Sequence, residues 1–123
     1  MKTTMGLTRD GLRTYYAKNL LKDGKIFAKD FTGLIPKGVP NIFKPSETIK
    51  LGGNYNFKVN NVKVQFRIHS PDKQAKKRHI GSNSGSQWTA QIKVGNKFLG
   101  TDGEYHRMNN KTANMLHIPF KMK

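Results

Sequence analysis

The chain has 123 residues, enough for one domain with a modest hydrophobic core. Lysine and arginine total 23 against 7 aspartate and glutamate residues, so the formal net charge is +16, and the absence of cysteine excludes disulfide bonds, thiol nucleophiles and thiolate zinc sites. Charge repulsion of this size destabilises a compact protein, so we expect a polyanionic partner: nucleic acid first, then a membrane surface or an acidic protein.

The N-terminal segment LTRDGLRTYYAKNLLKDGK has the clearest helix signal in the sequence, and it is the one helix that we predict. Thr8 is a suitable N-cap, and Asp10 lies in the first turn, where a negative charge is favourable. The apolar residues recur at intervals of four: Leu12, Tyr16 and Leu20. Lys22 and Gly24 predict a cationic last turn followed by a terminating glycine.

Residues 29–53 contain three prolines and four glycines, which predicts an ordered connection with at most short elements. We expect a single domain over residues 1–123. In it, residues 1–53 form the helix and this Pro/Gly-rich lead-in, and residues 54–120 form the core of a sheet.

The segment NYNFKVNNVKVQFRIH predicts a β-hairpin with Asn60 and Asn61 as its two-residue turn, because asparagine tolerates the positive φ that such turns require. This register pairs Val59 with Val62, Phe57 with Val64, and Tyr55 with Phe66, which places every apolar side chain on one face. The opposite, polar face then carries Lys63, Gln65, Arg67 and His69.

The remaining elements extend this sheet. SQWTAQIKV alternates like a strand, and the GN dipeptide at 95–96 predicts a second hairpin into KFLG. TDGEYHRMNNKTAN predicts a polar loop, and MLHIPF predicts a last short strand that is ended or edged by Pro119. The predicted fold is α+β: an N-terminal helix followed by a twisted antiparallel sheet.

The composition limits the kinds of catalysis that this chain could perform. The seven acidic residues are scattered and the four histidines show no paired spacing, so we predict neither a metal site nor a cofactor. What remains is acid–base catalysis by two imidazoles, with a cation stabilising the developing charge on a phosphorane. RNA supplies its own nucleophile, the ribose 2′-hydroxyl, and DNA has none. The pattern therefore favours RNA as the substrate.

Three residues are candidates for catalysis: Arg67, His69 and His117. Arg67 and His69 alternate onto the same polar face, beside the basic tract. The alternative for His69, at a strand end, is a merely solvent-facing side chain. The alternative for His117, which has apolar neighbours on both sides, is a structural role.

Basic and polar side chains near the predicted loops are candidates for substrate binding. KQAKKRH offers cations to phosphates, although such tracts are often only solvated, and GSNSGS is either a flexible linker or a phosphate-holding loop. Trp88 alternates with Ala90 and Ile92, which favours core packing over base stacking. The candidate substrate-binding residues are Lys63, Lys76, Lys77, Arg78, His79, Ser82, Ser84, Tyr105 and His106.

The motifs RIHSPD, GSNSGSQWTAQI, a DG turn and the terminal HIPF, spread over about residues 62–120, resemble the C-terminal toxin domains of bacterial polymorphic toxin systems. The resemblance implies a ribonuclease toxin delivered as the C-terminal part of a larger secreted effector and acting in the target-cell cytoplasm. It also implies a cognate immunity protein, which we expect to be acidic, and it singles out Arg67, His69, Ser84, Trp88 and His117. The KKRH insertion before GSNSG departs from the family pattern and puts the function of that loop in question.

The expected function is therefore metal-independent cleavage of RNA, either tRNA or rRNA, by a monomeric domain. Three other functions stay open: a non-enzymatic basic nucleic-acid-binding protein, a metal-dependent DNase toxin, and a membrane-active cationic domain. No apolar stretch approaches the length of a membrane span, so we expect no membrane insertion by this domain itself.

Overall fold

The computed structural model describes residues 6–78 and 81–123, with the backbone alone for residues 76–78. In these ranges the helices are α1 (Arg9–Leu20), α2 (Ala28–Gly33), α3 (Lys73–Arg78), α4 (Asn83–Ser86) and α5 (Ala113–Leu116). The strands are β1 (Leu21–Lys22), β2 (Lys25–Phe27), β3 (Gly52–Val59), β4 (Val62–His69), β5 (Thr89–Val94), β6 (Lys97–Leu99), β7 (Tyr105–His106) and β8 (Ile118–Lys121).

The strands form one sheet in the order β1-β2-β8-β5-β4-β3, and β6 and β7 extend it from β5. Every described pair is antiparallel except β2 with β8, which run parallel. The α+β class and the N-terminal helix are thus confirmed, in a sheet that is mixed because of this one pair. None of the described helices is long and apolar enough to cross a membrane.

The first helix begins as predicted and ends earlier. The Thr8 hydroxyl accepts a hydrogen bond from the backbone N–H of Gly11 at 3.1 Å, which makes Thr8 the N-cap. The helix stops at Leu20, and the next residues turn back as the β1–β2 hairpin. Gly24, with φ 74°, lies in that hairpin turn beside Asp23, so its predicted role at the helix end was wrong.

The β3–β4 hairpin has the predicted register. Its strands pair Tyr55 with Phe66, Phe57 with Val64, and Val59 with Val62. Asn60 and Asn61 form the turn with φ values of 50° and 66°, the left-handed conformation that asparagine tolerates. Because side chains alternate along a strand, this register puts the apolar residues of β4 toward α1 and its polar residues on the other face.

The core is built around Phe66, which is fully buried in the middle of β4. Its ring centroid lies 5.3 Å from those of Tyr16 and Phe31 and 5.4 Å from that of Phe57. Tyr16 belongs to α1 and Phe31 to α2, so the residues before the hairpin contribute directly to the same core.

The C-terminal segment differs from the predicted strand. Residues 113–116 form α5, and His117 is its C-cap instead of a strand residue. β8 begins at Ile118 and lies between β5 and β2, so Pro119 is not at an edge of the sheet. The pairing with β5 continues past this proline, since the backbone N–H of Phe120 donates to the carbonyl of Trp88 at 3.0 Å. The second predicted hairpin, β5–β6, is confirmed by the pairing of Val94 with Lys97.

The aromatic cluster yields a stability prediction. Phe66→Ala removes the ring that contacts α1, α2 and β3, so it should lower the free energy of unfolding by about 3–5 kcal/mol, measured by urea denaturation. Phe98→Ala is the matched control, because Phe98 is half-buried on the polar face of the sheet. A loss below about 1 kcal/mol for Phe66→Ala would contradict this account of the core.

Candidate active site

His69 is the last residue of β4 and lies in the interior at 3% exposure, so the solvent-facing alternative was wrong. On the neighbouring strand it pairs with Thr89, which is fully buried. The ring Nδ1 donates to the carbonyl of Ser70 at 2.7 Å, and Nε2 lies 3.4 Å from the Thr89 hydroxyl. A backbone carbonyl cannot donate, so Nδ1 carries the proton and Nε2 has the free lone pair.

His117 reaches the same place from a different element. Its Nδ1 donates to the carbonyl of Ala113 one helical turn earlier, at 2.7 Å. Its ring centroid lies 5.9 Å from that of His69, with the ring planes at 69°. Unlike His69, His117 is half-buried. The fold thus brings together two histidines that are 48 positions apart in the sequence (117 − 69).

Both imidazoles have the same tautomer for the same reason. Each Nδ1–H is held by a backbone carbonyl, which leaves Nε2 of each ring as the atom that can accept or donate a proton. Two rings oriented in this way can supply a base and an acid to one substrate.

Burial lowers the pKa of His69 below 6.5, because the charged imidazolium loses its hydration. The hydrogen bond to the Ser70 carbonyl acts in the opposite direction, while the positive charges of His117 and Arg67 lower the pKa further. Asp72 raises it slightly and does not reverse the shift. His69 is therefore neutral near pH 7, the state that a general base requires.

Arg67 lies two residues before His69 on the same face of β4, opposite Asn54 on β3 and Gln91 on β5. Its Nε is buried and donates to no acceptor among the described residues. An unpaired buried donor costs roughly 1–3 kcal/mol. A hydrogen bond from the guanidinium to an anion would therefore be stabilising. Arg67 is thus placed to stabilise negative charge near the histidines.

The segment GSNSGS forms helix α4 and is not an open loop. Ser82 is its N-cap and accepts a hydrogen bond from Gly85 N–H at 3.2 Å. Ser84 is buried, and its carbonyl accepts from Asp72 N–H at 2.6 Å. The Ser82 hydroxyl thus caps the helix and Ser84 is enclosed, so the segment is not the flexible linker that was one of its two predicted alternatives.

Asn83, which sequence reasoning missed, connects α4 to the His117 segment. Its amide nitrogen donates to the carbonyl of His117 at 3.2 Å, and its backbone N–H donates to the side chain of Asn114 at 2.8 Å. These bonds fix the backbone on which the His117 ring is mounted. The only sequence signal for this role was an asparagine beside a capping serine.

Thr89 was missed as well, although the strand that contains it was predicted. Its position opposite His69 depends on the pairing of β4 with β5. The segment between these two strands has no turn motif that sets the register, so sequence alone did not place the Thr89 hydroxyl at His69.

Other predicted substrate-binding residues have different surroundings. Tyr105 donates its hydroxyl to the carbonyl of Arg13 at 2.9 Å, and burial raises its pKa well above the usual range. His106 contacts the Asp102 carboxylate at 2.9 Å. Burial opposes ionisation of Asp102, but hydrogen bonds from Glu104 N–H and His106 lower its pKa overall. These contacts connect Tyr105 to α1 and His106 to Asp102, away from the two histidines of the site.

The basic tract is only partly described. Lys76, Lys77 and Arg78 lie in α3, and His79 lies outside the described residues. Lys63 is exposed at the opposite end of β4 from His69. In residues 6–78 and 81–123, no group of three or more metal-ligating side chains is close enough to hold an ion.

Fold and site together define a small basic α+β domain in which a buried histidine, His69, and a half-buried one, His117, lie together at the end of the central strands. Residues 31–121 match the family Ntox30, bacterial toxin 30. The chain belongs to this family and is a bacterial toxin domain, which confirms the toxin resemblance seen in the motifs. The match starts at Phe31, so it includes part of the Pro/Gly-rich lead-in. No curated protein and no solved structure matches the chain.

The buried imidazole yields a pH prediction. The pKa of His69 is lower in the folded than in the unfolded protein, so the unfolded state binds more protons as the pH falls below about 6.5. The His69 contribution to stability should therefore be present at pH 7.5 and be lost as the pH falls through the folded-state pKa. Urea denaturation at pH 7.5 and 5.5 measures this change.

In His69→Gln the stability should depend less on pH over this range, whereas in His106→Gln that dependence should persist. Titration of the His69 ring by NMR checks the direction independently. A His69 pKa above 6.5 in the folded protein would contradict the burial argument.

Proposed function

We propose that this toxin domain is a metal-independent endoribonuclease that uses His69 and His117 as its acid–base pair and Arg67 to stabilise charge. One observation carries the proposal: the two imidazoles lie 5.9 Å apart, and both have Nδ1 anchored to a backbone carbonyl. Toxin membership supplies the context, and the net charge of +16 supplies an affinity for polyanions.

The proposed reaction uses the ribose as nucleophile. Neutral His69 accepts the proton of the 2′-hydroxyl at Nε2, and the 2′-oxygen attacks the adjacent phosphorus. The bond from phosphorus to the 5′-oxygen breaks, and His117 in its protonated form donates a proton to that oxygen. The products are a 2′,3′-cyclic phosphate and a 5′-hydroxyl, and Arg67 stabilises the negative charge that develops on the phosphoryl oxygens.

Access to His69 requires one local change. The Thr89 hydroxyl lies 3.4 Å from Nε2, a distance at which the hydrogen bond is weak. Thr89 is itself fully buried, so this change must open the segments that cover both residues before the substrate 2′-hydroxyl can replace the threonine at Nε2. His117 is half-buried and needs no comparable change.

A specific observation favours a second candidate, a nucleic-acid-binding toxin without nuclease activity. His69 is 3% exposed and bonded to the backbone, which is also what a purely structural histidine looks like. In that case the positive charge serves binding alone. A metal-dependent DNase is the third candidate, and the choice of substrate and chelator in one assay separates all three.

The decisive assay incubates the protein with total cellular RNA and with plasmid DNA, each with and without EDTA. We expect RNA cleavage that survives EDTA, produces 2′,3′-cyclic ends and has a bell-shaped dependence on pH. His69→Ala and His117→Ala should each lower kcat by about 10²–10⁴-fold. Burial lowers the pKa of His69, the proposed base, so the acidic limb of the profile should lie at a lower pH than for an ordinary imidazole.

His106→Ala is the matched control, because His106 contacts Asp102 and not the histidine pair. It should retain nearly full activity. Cleavage of DNA that requires Mg²⁺ would establish the DNase instead. Tight RNA binding without cleavage, unchanged in His69→Ala, would establish the non-enzymatic binder.

The same proposal extends to partners and location. The substrate would be tRNA or rRNA, reached in the target-cell cytoplasm after delivery of the domain as the C-terminal part of a larger effector. Toxin families in general have cognate immunity proteins. For a toxin of charge +16 we propose a small acidic inhibitor that covers the α3 region and the His69 end of the sheet.

Electrostatic steering predicts how fast this inhibitor should bind and how salt should change that rate. The association rate of the inhibitor should exceed the unsteered range of about 10⁵–10⁶ M⁻¹s⁻¹. It should fall steeply as salt shortens the Debye length from about 10 Å to 3 Å. The measurement is a stopped-flow series against ionic strength with the product of the neighbouring gene. A rate that does not change with salt, or a footprint far from α3, would rule out the electrostatic mechanism.

A further inference from the structure

The polar face of strands β3, β4 and β5 continues well beyond the histidine pair. Side chains on this face form four rows across the strands, and the row at one end contains His69 and Thr89. Arg67 is in the next row, Gln65 and Lys93 in the third, and Lys63 in the last. At about 3.4 Å per residue, the face spans roughly 20 Å from His69 to Lys63.

Three lysines gather at the end of this face that is far from the histidines. Lys58 and Lys63 are direct cross-strand partners, and Lys93 pairs with Gln65 in the adjacent row. These lysines and the amide side chains of Asn56 and Gln65 line one cleft of about 450 Å³.

This arrangement is unfavourable in the free protein. Like charges directly opposite each other across a strand pair are destabilising, and Lys58 faces Lys63 in this way. Strands β3, β4 and β5 contain no aspartate or glutamate. The nearby Asp10 forms an ion pair with Arg13 at 3.7 Å, so it is engaged with another cation. A bound anion would relieve the repulsion.

Exposure changes along the face in a way that fits an extended ligand. Lys58 and Lys63 are exposed, Arg67 is half-buried, and His69 is buried. A chain molecule can therefore lie on the open end and place one of its groups at the enclosed end. Apart from the Phe98 ring, whose centroid lies 5.4 Å from Lys93 Nζ, the side chains offered to it near the cleft are cations and amides, which suit a phosphodiester backbone.

We infer that the cleft lined by Lys58, Lys63 and Lys93 is a binding site for the backbone of single-stranded RNA, several nucleotides away from the bond that is cut. The inference rests on the proposed ribonuclease function for its choice of RNA. It assigns affinity for long substrates to these lysines and separates that affinity from the chemistry at the histidines.

The binding test uses a fluorescent 12-nucleotide RNA with 2′-O-methyl groups throughout, which cannot be cleaved by attack of a 2′-hydroxyl. One triple variant carries Lys58→Gln, Lys63→Gln and Lys93→Gln. The matched control carries Lys18→Gln, Lys25→Gln and Lys29→Gln, which remove the same charge from α1, β2 and α2. Urea denaturation of both variants verifies that they remain folded.

We expect the cleft variant to lose about tenfold or more in affinity at 0.1 M salt. The slope of log K against log salt should fall by about 2, since each phosphate contact on a single strand contributes about 0.7. The control should bind almost like the unmodified protein. Equal losses and equal slopes in the two variants would overturn the inference, because binding would then follow net charge alone.

A second measurement separates this site from catalysis. With a cleavable dinucleotide, which is too short to reach the cleft, the cleft variant should have unchanged kcat and KM. With a long RNA its KM should rise at constant kcat. If no RNA is cleaved at all but the cleft variant alone loses affinity, the binding site stands and the proposed catalysis fails. If both variants bind RNA normally and the cleft variant loses only an acidic protein partner, the site belongs to that partner and the inference is wrong.

Discussion

The structure depends on the pairing of β4 between β3 and β5 in a single register. β4 is two-sided: Val64 and Phe66 are part of the buried core, where Phe66 contacts α1 and α2, while Arg67 and His69 line the polar face. A slip by one residue would exchange the two sets and bury the charges against the helices. The Asn60–Asn61 turn prevents this slip on one side, because both residues adopt the left-handed conformation of a two-residue hairpin.

Burying the polar side chains of the histidine site has a desolvation penalty, and hydrogen bonds from the surrounding polar groups offset it. The described polar side chains that are buried are those of His69, Ser84, Thr89 and Gln91, and all four lie on or beside the same end of the sheet. Burying an imidazole without partners would be costly, and here the carbonyl of Ser70 and the hydroxyl of Thr89 contact its two nitrogens. Helix α4 and the His117 segment enclose the site through Asn83, so the same contacts that stabilise the fold also orient the two rings.

The charge distribution explains how so basic a chain can fold while its surface keeps an affinity for polyanions. The ion pairs among the described residues engage Asp10, Asp30 and Asp102. Most of the lysine and arginine side chains that the structure describes therefore lack a carboxylate partner of that kind. Some of this charge is used within the fold, as when Arg13 donates to the carbonyl of Val94 at 2.7 Å. The rest is exposed, where water and salt reduce the repulsion and a polyanion would reduce it further.

Local structure could be predicted from the sequence: the N-cap at Thr8, the hairpin register around Asn60 and Asn61, and the placement of Arg67 beside His69. These follow from the intrinsic backbone preferences of a few residues and from alternation along one strand. Its motifs also indicated the toxin family. The surroundings of the site, in contrast, depend on contacts between segments that are distant in sequence. His117 lies beside His69 because a helical turn and the pairing of β8 with β5 bring it there, and GSNSGS is helical because its capping and contacts outweigh its flexible composition. The burial of His69 likewise depends on segments distant in sequence, which no local pattern specifies.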